Sequence, residues 1–231
     1  MEESRLSSPL DGGKSQKSPI IGCYGFWVIL TYSNAAVALL GMYHAFNGSV
    51  RYALICLMVS GLCDGFDGKV ANLKERTSRE KSYGIQIDAL ADVISFGVLP
   101  AVIGYTLIGD YASKGLAFLS LLIFIWYVLA ALIRLAYFNV IEAELVSRNE
   151  KRKYFEGLPV TSVALIIPFV YSVCCVSKIP LYPVYTVLLA AISAAFVLRI
   201  KIPKPRIRAI AILCMAGIPT IIYIIFFGGG R

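Results

Sequence analysis

The chain has 231 residues, of which 58% are hydrophobic and only 16% are charged. A soluble domain carries about 25% charged residues, so this composition excludes an ordinary water-soluble domain and indicates a polytopic membrane protein. The formal net charge of +8 therefore indicates contact with anionic membrane lipid, and nucleic-acid binding is not expected.

Residues 1–18 form a polar tail that we expect to be disordered and cytoplasmic, because it lacks the early apolar run of a signal peptide. Residues 19–231 are predicted to form a single transmembrane domain. Apolar windows of about 20 residues predict an all-α bundle with a six-helix core and one further helix. The seven predicted spans are 24–46, 49–73, 85–109, 113–141, 158–177, 180–198 and 207–228.

The basic residues fix the orientation that we expect for this bundle. With the N-terminus in the cytoplasm, 16 of the 22 Lys and Arg residues fall in the tail and in loops on the cytoplasmic side. Short loops rich in Lys and Arg stay on the inner side of a membrane. The sequence therefore predicts a cytoplasmic N-terminus.

Four aspartates interrupt the apolar pattern near the cytoplasmic ends of the second and third spans: Asp64, Asp67, Asp88 and Asp92. An ionised carboxylate at mid-membrane depth costs roughly 2.5–3.5 kcal/mol on insertion scales, so clustered acids need compensating positive charge. Divalent cations held by the carboxylates would supply that charge and could bind a pyrophosphate. The acids could also form the ion relay of a transporter, or could end their helices and face water.

The spacing of the acids favours convergence. Asp64 and Asp67 are three residues apart and Asp88 and Asp92 are four apart, so each pair projects from one face of its own helix. The two helices are antiparallel neighbours joined by a short loop, and glycines among the acids allow a close approach. We therefore expect the two acidic faces to meet.

These runs carry a family resemblance. D-G-F-D-G-K-V-A-N at 64–72 and G-I-Q-I-D-A-L-A-D at 84–92 resemble the signature of the CDP-alcohol phosphotransferase family. That signature is D-x-x-D-G-x-x-A-R, a spacer, and then G-x-x-x-D-x-x-x-D. Further stretches are similar to the membrane-embedded phosphatidylserine synthases of that family: 90–100, 134–140 and 155–159. The resemblance covers roughly residues 24–170.

The resemblance implies a catalytic membrane domain that transfers the phosphatidyl group of CDP-diacylglycerol to L-serine and releases CMP. Asp64, Asp67 and Asp88 would be the main ligands of two divalent cations, Mg²⁺ or Mn²⁺. Asp92 would complete the second metal site and act as general base for the acceptor hydroxyl. A homodimer is expected from the family, in the cell (inner) membrane and with its active site on the cytoplasmic side.

The resemblance also implies a nucleotide pocket on the second span. Gly65, Gly68 and Ala71 would line it, because larger side chains would collide with the base or the ribose. Asn72 stands where the family has an arginine, which removes a cation that would face the phosphates. The spacer from Asn72 to Gly84 is longer than is usual in the family.

Polar residues in the apolar spans are the other candidates. Arg134 in the fourth span could bind the carboxylate of serine or a phosphate, or could pair with one of the acids. Asn139 is a second candidate acceptor-binding residue, although a hydrogen bond between helices explains it equally well. For Asn34 we expect such an interhelical hydrogen bond.

Two alternatives remain open. The acceptor could be another alcohol, such as glycerol phosphate or inositol phosphate. A phosphorylated acceptor would need more basic residues within the spans than Lys69 and Arg134, which favours serine. A metal-ion transporter would be expected to have broken helices and an internal repeat, and the sequence contains no visible repeat.

Overall fold

Seven α-helices follow one another in a computed structural model that describes residues 22–71, 77–109, 112–147, 155–199, 201–202, 222 and 224. The expected helical architecture is confirmed for these residues. The predicted tail at 1–18 lies outside them. In chain order the helices are α1 Ile29–Phe46, α2 Val50–Ala71, α3 Ser78–Asp92, α4 Leu99–Thr106, α5 Lys114–Ser147, α6 Val163–Ser177 and α7 Leu181–Val197.

Four helical segments are long and apolar enough to cross a membrane, which agrees with the predicted class of protein. They are Phe26–Phe46, Arg79–Thr106, Lys114–Ile141 and Val160–Ser177. α2 occupies the predicted span 49–73, but charged residues interrupt its apolar run, and α7 is a shorter apolar helix. Apart from residues 222 and 224, the predicted span 207–228 lies outside the described residues.

α3 begins earlier than the third predicted span because its first turn has a capping box. The hydroxyl of Thr77 accepts a hydrogen bond from the backbone N–H of Glu80 at 3.3 Å. The carboxylate of Glu80 in turn accepts one from the backbone N–H of Thr77 at 2.9 Å. This exchange satisfies two donors that a helix start leaves unpaired. The helix therefore starts at Ser78, outside the apolar window.

A π-helical segment, Val93–Val98, joins α3 to α4 in one continuous rod. Pro100 has no N–H, so it cannot donate to the carbonyl of Phe96 four residues earlier. The hydroxyl of Tyr127 on α5 donates to that carbonyl at 2.6 Å, and the hydroxyl of Tyr185 on α7 donates to the carbonyl of Pro100 at 2.9 Å. Tyr127 therefore stabilises the π-helical segment that directly follows Asp92, and Tyr185 binds the first turn of α4.

The core lies between α1, α2, α4, α5, α6 and α7. Its fully buried side chains include Leu54, Leu57, Leu99, Ile103, Ile167 and Leu189. α1 packs most extensively against α2, and α5 packs against α7. Many large apolar side chains point outward, among them Leu39, Phe118 and Val187, as expected of helices that face lipid.

Two short strands connect the segments beside α6 and α7. β1, Phe155–Glu156, precedes α6 and pairs antiparallel with β2, Lys201–Ile202, which follows α7. The backbone N–H of Leu158 also donates to the carbonyl of Ala195 at 3.3 Å. These contacts place the loop after β1 against the end of α7.

Candidate active site

The acids meet at one end of the bundle, where α2 and α3 both pack against α1. Asp64 is on α2, and Asp88 and Asp92 are on α3. Each offers one carboxylate oxygen, and these three oxygens all lie within 4.8 Å of one another. The structure thus brings together three of the four aspartates that were predicted to bind metal.

The arrangement has the donor chemistry of a site for a hard cation. Asp92 is only 7% exposed, and Oδ1 of Asp88 is buried without a hydrogen-bond partner among the described residues. Buried carboxylates repel one another, and a buried acceptor oxygen normally has a partner. All-oxygen ligation is what Mg²⁺, Mn²⁺ and Ca²⁺ prefer. The three residues therefore fit a divalent cation.

Asp67 occupies a different position from the other three. It is 9% exposed, and its Oδ2 accepts a long hydrogen bond of 3.5 Å from Oγ1 of Thr31 on α1. Its carboxyl group lies near that of Asp88. Asp67 is thus beside the cluster of Asp64, Asp88 and Asp92 and is not a member of it.

α1 also contacts the cluster through Asn34, which is fully buried. Nδ2 of Asn34 donates to Oδ1 of Asp92 at 3.4 Å. The backbone carbonyl of Asn34 accepts hydrogen bonds from Ser60 on α2 and from Ser95 in the π-helical segment. Asn34 makes the interhelical hydrogen bond that the sequence predicted, and its partner is an acid of the candidate site.

The predicted nucleotide-pocket residues lie on the last turns of α2. Gly65 is exposed, and a Cβ added to it would meet no atom of the described residues within 4 Å. One turn earlier, a Cβ at Gly61 would lie 2.5 Å from Cβ of Ala164 on α6. The space beside Gly65 is thus open, whereas Gly61 is a packing contact. Gly68 and Ala71 belong to α2, but their surroundings lie outside the described residues.

Arg134 is 6% exposed on α5. Its Nη2 donates to the carbonyl of Gly157 at 3.5 Å, and its Cζ lies 4.4 Å from the centre of the Phe138 ring. It lines a cavity of about 280 Å³ between α5 and α7, together with Ile133, Tyr137, Phe138, Phe196, Val197, Leu198 and Arg199. Asn139, the other predicted acceptor-binding residue, is half-buried on α5 and is not in that lining.

Several residues around these sites were not identified from the sequence. Thr31 contacts Asp67, and Phe138 and Arg199 share the cavity with Arg134. Phe138 could have been found, because it lies four residues after Arg134 on the same helix face and can stack under a guanidinium. Thr31 and Arg199 could not be identified from the sequence, because their place at these sites depends on contacts between distant parts of the chain.

Comparison with known sequences identifies the family. The profile of the CDP-alcohol phosphatidyltransferases matches residues 28–200, which include all four aspartates and Arg134. The chain belongs to the CDP-alcohol phosphatidyltransferase family. This membership confirms the resemblance on which the site residues were predicted.

Members of this family with similar sequences come from bacteria, a fungus and an archaeon. A CDP-diacylglycerol–serine O-phosphatidyltransferase of Helicobacter pylori is 34% identical over 153 residues, which are 64% of this chain and 58% of that protein. An enzyme of the same name from Saccharomyces cerevisiae is 44% identical over 117 residues, 49% of this chain and 39% of that protein. An archaetidylserine synthase of Methanothermobacter thermautotrophicus is 32% identical over 143 residues, 62% of this chain and 56% of that protein. The chain spans about half the length of the curated relatives it matches.

Proposed function

We propose that the chain transfers the phosphatidyl group of CDP-diacylglycerol to L-serine, forming phosphatidylserine and CMP. The observation that carries the proposal is the convergence of Asp64, Asp88 and Asp92 within the family's signature. The names of the three relatives, each a synthase or transferase of a serine lipid, support serine as the acceptor.

In the proposed reaction the serine hydroxyl oxygen attacks the phosphorus that carries the diacylglycerol. A new P–O bond forms, the bond to the CMP oxygen breaks, and CMP leaves with the electron pair. A free hydroxyl is a poor nucleophile at neutral pH, so its proton must be accepted as the bond forms. Asp92 is assigned as that general base, because it is a buried carboxylate within the cluster.

Asp64, Asp88 and Asp92, with Asp67 beside them, would hold two divalent cations, Mg²⁺ or Mn²⁺. When bound, such ions offset the negative charge of the carboxylates and of the phosphoryl oxygens. The orphaned Oδ1 of Asp88 is the observation that favours a bound cation over a purely structural cluster. Asp67 is assigned to the same centre through its proximity to Asp88.

Gly65, Gly68 and Ala71 are proposed to line the nucleotide pocket. The open space beside Gly65 supports this assignment, because no protein atom fills it within the described residues. Gly65 directly follows Asp64 on the same helix, so a nucleotide there would lie close to Asp64. Its pyrophosphate could then reach the carboxylate cluster.

We assign the serine carboxylate to Arg134, with Asn139 as a secondary candidate. Guanidinium binds carboxylate through two parallel hydrogen bonds, and Arg134 lines a cavity of about 280 Å³. α5, which carries Arg134, packs against α3 and against the π-helical segment that follows Asp92.

We further propose seven spans, with the N-terminus and the active site on the cytoplasmic side of the cell membrane. The basic loops of the sequence support this topology. A homodimer is proposed from the family alone.

The test is an assay of the purified full chain with Mn²⁺, CDP-diacylglycerol and radiolabelled serine. We expect release of CMP and a labelled lipid product, both lost in Asp88→Asn. Parallel reactions replace serine with glycerol phosphate or inositol phosphate. CMP release with one of these and not with serine would reassign the acceptor. No CMP with any acceptor, together with Mn²⁺ uptake by vesicles, would replace the proposal with a transporter.

A further inference from the structure

α1 carries no acid in its sequence, yet it contacts an acid on each of the two neighbouring helices. Thr31 and Asn34 are three residues apart, so they lie on one face of α1. Thr31 donates to Asp67 on α2 at 3.5 Å, and Asn34 donates to Asp92 on α3 at 3.4 Å. Both donors are buried, with exposed fractions of 5% and 0%.

Asn34 is held in place from two sides. Its backbone carbonyl accepts from Oγ of Ser60 at 3.2 Å and from Oγ of Ser95 at 3.4 Å. Both serines are completely buried. Ser60 comes from α2 and Ser95 from the π-helical segment, so Asn34 is fixed where three elements meet. Its amide group therefore reaches Asp92 from a fixed position.

A carboxylate needs such a contact if its orientation is to be defined. The last torsion of an aspartate side chain is broad, so the backbone alone does not set the direction of its oxygens. Hydrogen bonds from outside a metal site usually orient its ligands, and their loss weakens metal affinity or activity by about 10- to 100-fold. Asn34 is placed to orient Asp92 in this way, and Thr31 is placed to orient Asp67.

Packing alone does not explain an asparagine at position 34. Its Oδ1 is buried and has no hydrogen-bond partner among the described residues. An unpaired buried acceptor costs free energy that a leucine of similar size would avoid. An amide at this position is explained if its N–H₂ group is required as a hydrogen-bond donor. That group donates to Asp92.

We infer that Asn34 is a positioning residue for Asp92, and that Thr31 has the same role for Asp67. Asn34 has no exposed surface, so it acts on the reaction through Asp92 and touches no substrate. This inference rests on the proposed function only in assigning a reaction to Asp92. The orientation of the two acids toward a bound dication does not depend on which alcohol is the acceptor.

The test compares Asn34→Leu and Thr31→Val with Thr186→Val in the full chain purified in detergent. Thr186 is a matched control, because its buried hydroxyl donates to the carbonyl of Tyr182 on its own helix, away from the acids. Thr31→Ser retains the hydroxyl and serves as the conservative variant. Each protein is assayed for kcat, for the KM of CDP-diacylglycerol, and for melting temperature across a Mn²⁺ titration without substrate.

We expect Asn34→Leu to lower kcat by about 10- to 100-fold and to raise the Mn²⁺ midpoint of the melting shift by about 10-fold or more. The KM of CDP-diacylglycerol should change by less than about 3-fold, in keeping with a role confined to the acids. Thr31→Val should move the Mn²⁺ midpoint in the same direction by a smaller factor. Thr31→Ser should restore it, and Thr186→Val should leave both kcat and the midpoint unchanged.

A purely structural role gives a different result. Asn34→Leu and Thr31→Val would then lower the melting temperature without Mn²⁺, while kcat of the folded protein and the Mn²⁺ midpoint stayed at wild-type values. That outcome would overturn the inference. Because the Mn²⁺ midpoint is read without serine, a wrong acceptor in the proposed function would leave this result intact. If Asn34→Leu does not fold, the Thr31 pair decides by the same readout.

Discussion

The two ends of the bundle differ in what holds them together. At the apolar end, around Leu99 and Ile103, buried apolar side chains pack between the helices. At the acidic end, Asp67 and Asp92 are buried with Thr31, Asn34 and other hydrogen-bonding groups. Two buried oxygens at the acidic end, Oδ1 of Asp88 and Oδ1 of Asn34, have no hydrogen-bond partner among the described residues.

The glycines show the same contrast. A Cβ at Gly41 would lie 2.9 Å from Cβ of Cys56 and 3.0 Å from Leu99, so the helices are in close contact there. At Gly65 a Cβ would meet nothing within 4 Å in the part of the chain that the structure describes. A small residue in the apolar end is thus explained by packing, whereas the one beside the acids requires another explanation. Variants in the acidic end should therefore change catalysis, and variants in the apolar end should change stability.

The largest effect is expected from Asp92→Asn, which keeps the shape of the side chain and removes its ability to accept a proton as a carboxylate. General-base catalysis contributes about 10²- to 10⁴-fold, so kcat should fall by roughly 10³-fold or more. Binding of CDP-diacylglycerol, measured by titration in detergent, should change by only a few-fold.

Ser193→Ala is the control for Asp92→Asn, because it also changes a buried polar residue but lies on α7 and donates to Ala190 of its own helix. Its kcat should equal that of the wild type. If Asp92→Asn retained turnover, Asp92 would lose the role of base, and the acidic end would have to be interpreted as structural.

A smaller effect is expected from Arg134→Lys. Lysine keeps the charge but loses the planar pair of donors that fits a carboxylate. A hydrogen bond to a charged group contributes about 1.5–3 kcal/mol, so the KM of serine should rise by about 10- to 100-fold. The KM of CDP-diacylglycerol should remain near the wild-type value in the same steady-state assay.

The matched control is Arg51→Lys. Arg51 lies near the start of α2, at the apolar end, and its guanidinium lies over the ring of Tyr52. It should leave both KM values unchanged. An unchanged KM of serine in Arg134→Lys, together with a lower melting temperature, would instead limit Arg134 to holding the loop at Gly157.

The apolar helices and the convergence of three acids could both be predicted from the sequence. The apolar helices were predicted because a span of lipid requires a continuous run of hydrophobic residues, as in α5. Convergence of Asp64, Asp88 and Asp92 followed from helical spacing, because residues three or four apart share a face. Both inferences depend on local periodicity.

The features that were not predicted depend on contacts between distant residues. The π-helical segment after Asp92 is stabilised by Tyr127, which lies on another helix. Asp67 accepts a hydrogen bond from Thr31, which is 36 residues away in the chain. Periodicity defines the face on which an acid lies, but the neighbour that binds it depends on how the helices pack.

The smallest effect is expected from Gly65→Ala, compared with Gly41→Ala. One added methyl group at Gly65 meets no atom of the described residues, so we expect the melting temperature not to fall. If a nucleotide occupies that space, the KM of CDP-diacylglycerol should rise by roughly 5- to 10-fold, which corresponds to about 1–1.4 kcal/mol. Gly41→Ala should do the reverse, because overpacking costs about 1–3 kcal/mol and so lowers the melting temperature, while KM stays the same. An unchanged KM in Gly65→Ala would show that the open space beside α2 is not where the nucleotide binds.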